Sequence, residues 1–494
     1  MGKNKTWKLA VMGHTIDWLR EKRHWPLLSV LTLFSAEAAW LSIRAAYPMA
    51  YDESYHFQLI QFFSHHLNPI VSSQDPSTYG LGNIVQNTSW LYHYLMSFPY
   101  RLFELNSSQY VQVVGLRFIN IGIMIGALAL VYRLLDHLKL SITIRTFIVF
   151  LVALTPAVTA LSAQINYDSL VILLSLGATY YTLCFVRELR ISKPSAITFA
   201  KLITLAFLGL IAKFSFLPMF AGIALATTAA WYWQVRAGKK PLTLLRRSFR
   251  TLSLGTRAVI IVILTVSVGI ASGLYANGLV RYHSLTPSCE QVLSVEACSN
   301  YYPWERNYTL SLQRNDLTKL DGPLVYTYHW AVQCWYQLHG VIIPGGGIVD
   351  IARSFYVLLL AFTLFALIAL ITHIHQVLRR YPLLLPLLGI AVIYILGLWM
   401  RNYNDYRHLG DIVGVQGRYI IPVTAYFYTA LVLGVHESLR GNKRKGMYLQ
   451  RLKLGLVAFV VWMFVWFGGS VRYMSDVLPD HRWRAQLTAE YRVS

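Results

Sequence analysis

Apolar runs of roughly 17–25 residues recur along the whole chain, each long enough to cross a hydrocarbon core of about 30 Å. In lipid every backbone N–H and C=O must find its partner inside the protein, which leaves helices and closed barrels. The runs do not alternate with a period of two, so helices are expected. We draw about eleven: Leu27–Ala46, Val111–Val131, Thr146–Leu161, Ser169–Val186, Phe199–Ala212, Phe214–Trp231, Ala258–Leu279, Phe355–Ile374, Leu383–Trp399, Tyr419–Val435 and Leu454–Val471. The fifth and sixth share one short stretch. They read as two short or tilted helices, or as one span with a re-entrant piece.

Composition agrees with a polytopic all-α membrane protein. The 494 residues are 55% hydrophobic and 13% charged, against about 25% charged in a soluble domain. The formal charge of +22 would suggest nucleic acid in a soluble chain. Here Lys and Arg fall in the short connectors, so they read as topology determinants, with no nucleic-acid partner. Arg133, Lys139 and Arg145; Arg187, Arg190 and Lys193; Arg236 to Arg250; Arg379 and Arg380; and Arg440 to Lys453 mark five successive connectors as cytoplasmic. The N-terminus is then cytoplasmic and the tail after Val471 lies outside. The basic start lacks a cleavable signal pattern, so the first run is expected to stay as an anchor. We read 1–494 as one membrane domain with two large outer loops, 47–110 and 280–353. Cys289 and Cys298 in the second large loop are a candidate disulfide in an oxidising compartment, with Cys334 as an alternative partner.

Chemistry-bearing residues gather on the outer side. Asp52 and Glu53 follow the first span, and paired acids at a membrane boundary suggest function. If helical, the segment puts Asp52 and His56 on one face at i, i+4, as suits a base with an orienting partner, or two metal ligands; the plain alternative is a solvated helix start. Asn166 and Asp168 occupy a tight link on the same side, where Asp168 is also a natural N-cap. Lys213 interrupts an apolar stretch, which is costly unless it snorkels or meets an anion. Arg418 follows Gly417, a residue that allows close backbone approach, and guanidinium suits phosphate. Arg401, Arg407 and His408 lie just before. Acids and cations on one outer face suggest chemistry on a phosphate-bearing lipid.

These residues resemble the GT-C superfamily of membrane glycosyltransferases, which use polyprenyl-phosphate-linked sugars. Asp52-Glu53-x-x-His56 resembles the acidic motif of the family's first outer loop. Asn166-Tyr167-Asp168-Ser169-Leu170 resembles the Asn-Pro-Asp-Ala-Leu motif of a branch of bacterial predicted membrane proteins, with Tyr167 in place of Pro. Gln416-Gly417-Arg418-Tyr419 resembles that branch's Gln-Gly-Arg-Tyr motif, and Ala212-Lys213-Phe214-Ser215 a Leu-Thr-Lys-Tyr type segment. Trp335 to Gly340 matches the family's aromatic-Gly segment only loosely.

The resemblance implies a GT-C-like bundle with amphipathic helices in its outer loops, in a bacterial cell membrane. Asp52 would be the base of an inverting displacement, with Glu53 beside it and Asp168 as a second acid. Lys213 and Arg418 would hold the lipid phosphate, and His56, Asn166, Arg401, Arg407 and His408 would line the substrate site. The donor would be a polyprenyl-phosphate sugar and the acceptor a glycan, lipid or protein. No cofactor is assigned, and a divalent metal is left open because family members differ. A flippase or transporter for a lipid-linked glycan would more often carry internal repeats and mid-membrane polar groups. A ligase would not need an acid right after the first helix.

Overall fold

The computed structural model describes residues 25–50, 52–82, 90–105, 108–313, 320–340, 353–440, 455–463 and 465. The chain begins with α1 (Trp25–Arg44), followed by α2 (Glu53–Ser64) and α3 (Trp90–Glu104) in the first large loop. Next come α4 (Gln109–His137), α5 (Ile142–Ala153), α6 (Pro156–Ser162), α7 (Asp168–Arg190), α8 (Ala196–Ala212) and α9 (Leu217–Arg236). After α10 (Pro241–Arg250) and α11 (Leu254–Tyr282), the second large loop carries α12 (Val295–Ser299), α13 (Tyr302–Gln313) and α14 (Pro323–His339). Then follow α15 (Arg353–Arg380), α16 (Leu384–Leu409) and α17 (Ile421–Ser438), the last entered through a 3-10 turn, Gly417–Ile420.

Among the described residues, eight helices are long and apolar enough to cross a membrane. Of the remaining expected runs, Phe199–Ala212 falls in the 17-residue α8, and Leu454–Val471 lies partly outside the described residues, with 455–463 helical. The run Thr146–Leu161 is two helices, α5 and α6, bent by 67°. Pro156 is the cause: it has no N–H to continue the ladder and it keeps the preceding residue out of the helical region. Thr155 accordingly has φ −62° and ψ 121°.

The stretch from Phe199 to Trp231 resolves into two antiparallel helices. At one end of α8, Ser195 N–H donates to Glu188 on the last turns of α7 (2.9 Å), and Lys239, just past α9, reaches the Arg190 carbonyl (3.4 Å). At the other end Lys213, extended at φ −164° and ψ 134°, turns the chain beside Asp168 at the start of α7. Both helices therefore run the height of α7, and Lys213 sits at the Asp168 end.

Burial identifies the hub. In α7, 72% of the spanning window is buried, against 11% in α11 and 17% in α15. α7 packs against α4, α8, α9 and α17, whereas α11 and α15 present Val259, Val262, Val357, Ile368 and Ile371 outward, as lipid-facing helices do. Among the described residues, the basic connectors share the end of the bundle opposite Asp168. There Arg145 pairs with Asp136 and Arg380 with Glu437.

Candidate active site

The two adjacent acids at the start of α2 have opposite environments. Glu53 is fully buried and accepts four hydrogen bonds: two from Arg117 (2.8 and 2.7 Å), one from Met49 N–H (2.7 Å) and one from Ile165 N–H (2.9 Å). Arg117, also fully buried, spends its remaining donors on the Ser42, Ala45 and Ala46 carbonyls at the end of α1. All five guanidinium N–H groups are used. This clasp ties α1, the turn after it, α4 and the α6–α7 link into one unit. Glu53, expected as a catalytic acid, has no oxygen left for a substrate. Arg117 went unassigned in the sequence, although an Arg within a spanning run is itself a signal.

Asp52 stands beside this clasp. It precedes α2 in the left-handed region (φ 62°, ψ 31°), a conformation that costs a non-glycine residue of order 1–3 kcal/mol. Its side chain is 64% exposed, with Oδ2 accepting from Arg418 Nη2 at 3.0 Å. The Arg418 guanidinium is 2% exposed, and its Nε lies 3.5 Å from Asp168 Oδ2. Asp168 Oδ1 in turn accepts from Lys213 Nζ at 2.6 Å. The Lys213 ammonium lies over the Tyr167 and Tyr419 rings, 4.1 and 4.4 Å from their centroids. Asp52, Arg418, Asp168 and Lys213 thus form one alternating chain of charge, brought together from α2, the 3-10 turn before α17, the start of α7 and the α8–α9 break.

The neighbours position this chain. Asn166 turns its Oδ1 back on Asp168 N–H (2.8 Å), an Asx turn that sets the carboxylate at the helix start; Asn166 is a support for Asp168. His56 is buried behind Asp52. Its Nδ1 meets His93 Nε2 at 2.9 Å, and its ring packs on Tyr167 at 4.5 Å. Burial, then His93, Arg418 and Lys213, push the His56 pKa well below the usual value, so the ring is neutral. Burial, then Asp168, pushes the Tyr167 phenol up.

The turn holding Arg418 is braced by α14. A Cβ at Gly417 would come within 2.6 Å of the Gln337 carbonyl carbon, and Gly417 N–H donates to Gln337 Oε1 at 3.0 Å. The close approach that requires glycine here is to protein backbone. α14 is fastened to α16 by Trp330 Nε1, which donates to Asn402 Oδ1 at 3.1 Å.

Of the remaining cations, Arg401 stacks over Phe214, 3.9 Å from its centroid and next to Lys213, with its side chain 50% exposed and Asp405 at 3.8 Å. Arg407 and His408 are exposed on the final turn of α16; the buried Asp168 carboxylate is met by Lys213 and Arg418. Cys289 and Cys298 form a disulfide with Cα atoms 5.9 Å apart, and Cys334 is a free, buried thiol. The disulfide closes a cap that brings Tyr301 onto Tyr55, one turn from Asp52, with ring centroids 5.8 Å apart. Nothing in the sequence near Tyr301 marks it, because its neighbours lie in the other large loop.

The acids do not fit a divalent ion in this arrangement. Both Asp168 oxygens face cations, and Asp52 Oδ2 is taken by Arg418, so a metal would compete with two fixed positive charges. Among the described residues no three His, Cys, Asp or Glu converge.

No family model matches the sequence, and no curated protein matches it significantly. Several solved structures bear a likeness. One is the Archaeoglobus fulgidus oligosaccharyltransferase in the apo form, at 16% identity and TM-score 0.47, covering 97% of this chain and 60% of that one. A second is the archaeal oligosaccharyltransferase AglB from Archaeoglobus fulgidus with an inhibitory peptide and a dolichol-phosphate, at 14% identity and TM-score 0.43, covering 91% and 56%. A third is the Archaeoglobus fulgidus enzyme with Zn and sulfate, at 15% identity and TM-score 0.42, covering 89% and 53%. The matched part is below two thirds of each solved chain and every TM-score is below 0.5, so the ligands of those proteins belong to those proteins.

Proposed function

We propose that the chain is a GT-C-type glycosyltransferase that moves a hexosyl or pentosyl group from a polyprenyl-phosphate-linked donor to a glycan, lipid or protein acceptor, on the extracytoplasmic face of a bacterial cell membrane. The observation that carries this reading is the state of Asp52: one oxygen fixed on a buried guanidinium, the side chain otherwise open. That is the arrangement of a held but accessible base.

In this reading the acceptor O–H gives its proton to Asp52 while its oxygen attacks the sugar's anomeric carbon. The bond from that carbon to the phosphate oxygen breaks with its electron pair going to the phosphate, and the configuration inverts. Negative charge grows on the leaving polyprenyl phosphate, and fixed cations in a dry site stabilise it best. Arg418 and the half-exposed Arg401 would meet that charge. Lys213, already engaged by Asp168 between two rings, would act through Asp168 and so on the placing of Arg418. The outer loops 47–110 and 280–353 would wall the site. The charged chain lies at helix ends, which disfavours a flippase reading with its mid-membrane site.

Asp52→Asn should lower sugar transfer from a polyprenyl-phosphate donor by about 10²–10⁴-fold, with membrane insertion unchanged and polyprenyl monophosphate still bound. Transfer at the wild-type rate would remove Asp52 as the base. Arg418→Lys keeps the charge but loses the fork, and should weaken polyprenyl monophosphate binding; unaltered binding would remove Arg418 from the phosphate site.

A further inference from the structure

The second large loop delivers a residue to the Asp52 site through a small covalent cap. Cys289 and Cys298 close a ring of residues, and Trp304 Nε1 donates to Glu290 Oε2 at 2.6 Å to tighten it. The cap rests on the first large loop: Gln74 Nε2 donates to the Val292 carbonyl at 3.3 Å, and a Cβ on Gly80 would lie 3.7 Å from the Asn300 carbonyl. Tyr301 follows directly, its N–H donating to the Cys298 carbonyl at 3.0 Å. Its ring lies against Gly82, which has φ +73° and leaves 2.9 Å for a Cβ, and against Tyr55 on the first turn of α2. Burial pushes the Tyr301 phenol up to about 12, with Asp52 as the next contributor, which keeps it protonated and able to donate.

We propose that Tyr301 is a positioning residue that walls the Asp52 site, and that the Cys289–Cys298 disulfide is what holds it there. The catalytic consequence rests on the reading of Asp52 as the base; the placement of Tyr301 does not. The site is then complete only in an oxidising compartment, because reduction frees the cap from its anchor and lets Tyr301 withdraw from Tyr55 and Gly82.

The test reads the placement without needing turnover. In full-length protein carrying Cys184→Ser and Cys334→Ser, Asp52→Cys is labelled with bimane, a fluorophore quenched by a tyrosine in contact, while Cys289–Cys298 stays oxidised. Other nearby rings give a constant background. Dithiothreitol then converts the disulfide to two thiols as it closes to its own cyclic disulfide. The expected results are a loss of quenching on reduction, the same loss in the oxidised Tyr301→Phe protein, and no further change when that protein is reduced. Equal emission from the Tyr301 and Tyr301→Phe proteins, or quenching that survives reduction, would overturn the proposal. With Asp52 intact, Tyr301→Ala should lower kcat for sugar transfer and leave polyprenyl monophosphate affinity unchanged. Wild-type protein that transfers no sugar would defeat the glycosyltransferase reading alone, while the fluorescence result would still decide where Tyr301 sits.

Discussion

Glu53→Gln and Asp52→Asn should have opposite consequences although the two residues are neighbours. Gln has nearly the shape of Glu, so the change is chemical. Its amide oxygen can keep the bonds from Arg117 Nε and Ile165 N–H, but its NH2 then takes the place of Oε2, which lies 2.7 Å from both Arg117 Nη2 and Met49 N. Two hydrogen bonds become donor–donor contacts, and a fully buried guanidinium loses its only carboxylate. Breaking a buried pair in this way costs about 3–5 kcal/mol. Asp52→Asn removes a charge that is mostly in the open, from a pair whose exposed half sets its worth at about 0.2–1 kcal/mol. The assay is reversible unfolding in mixed micelles with the spectroscopic midpoint followed for both variants, and sugar transfer measured beside it. Glu53→Gln should lose stability and, through misplacement of α2, activity; Asp52→Asn should lose activity with stability nearly intact. A Glu53→Gln protein within about 1 kcal/mol of wild type would refute the clasp.

Gly417→Ala should cost about 1–3 kcal/mol by overpacking, because the new Cβ meets the backbone of α14, and limited proteolysis should then cut the second large loop faster. Acid should also destabilise the outer end. The folded pKa of His56 lies well below its ordinary value, so the unfolded chain takes up a proton first. Its stabilising contribution is present above about pH 6.5 and is lost as the pH falls. A His56→Gln protein should show a flatter decline of unfolding free energy below that pH, and an unchanged slope would remove His56 as the cause.

The spans, and the end of the bundle on which the charged motifs gather, were legible in the linear sequence because the bilayer imposes both. A run must be apolar for a fixed length to cross, and Lys and Arg bias which connector stays on which side. Both signals are one-dimensional, and together they put Asp52, Asp168 and Arg418 at one end, while the side on which Lys213 lies hung on the path of 199–231. The break at Thr155 was also local, since Pro156 stands in the run, but its 67° bend depends on how α5 and α6 pack. What each charged residue touches was decided only by the tertiary structure. Asp52 and Glu53 are adjacent and chemically alike, yet Asp52 precedes α2 in the left-handed region while Glu53 opens the helix, so one side chain meets Arg117 and the other the open site. Lys213 is set on Asp168 by the antiparallel turn of α8 and α9, a partner the sequence did not name. Arg407 and His408 share a short segment with Arg401 and are exposed on the final turn of α16. Arg117 and Tyr301 reach the site from distant parts of the chain, Tyr301 through a disulfide, and burial and ion pairing depend on such non-local neighbours.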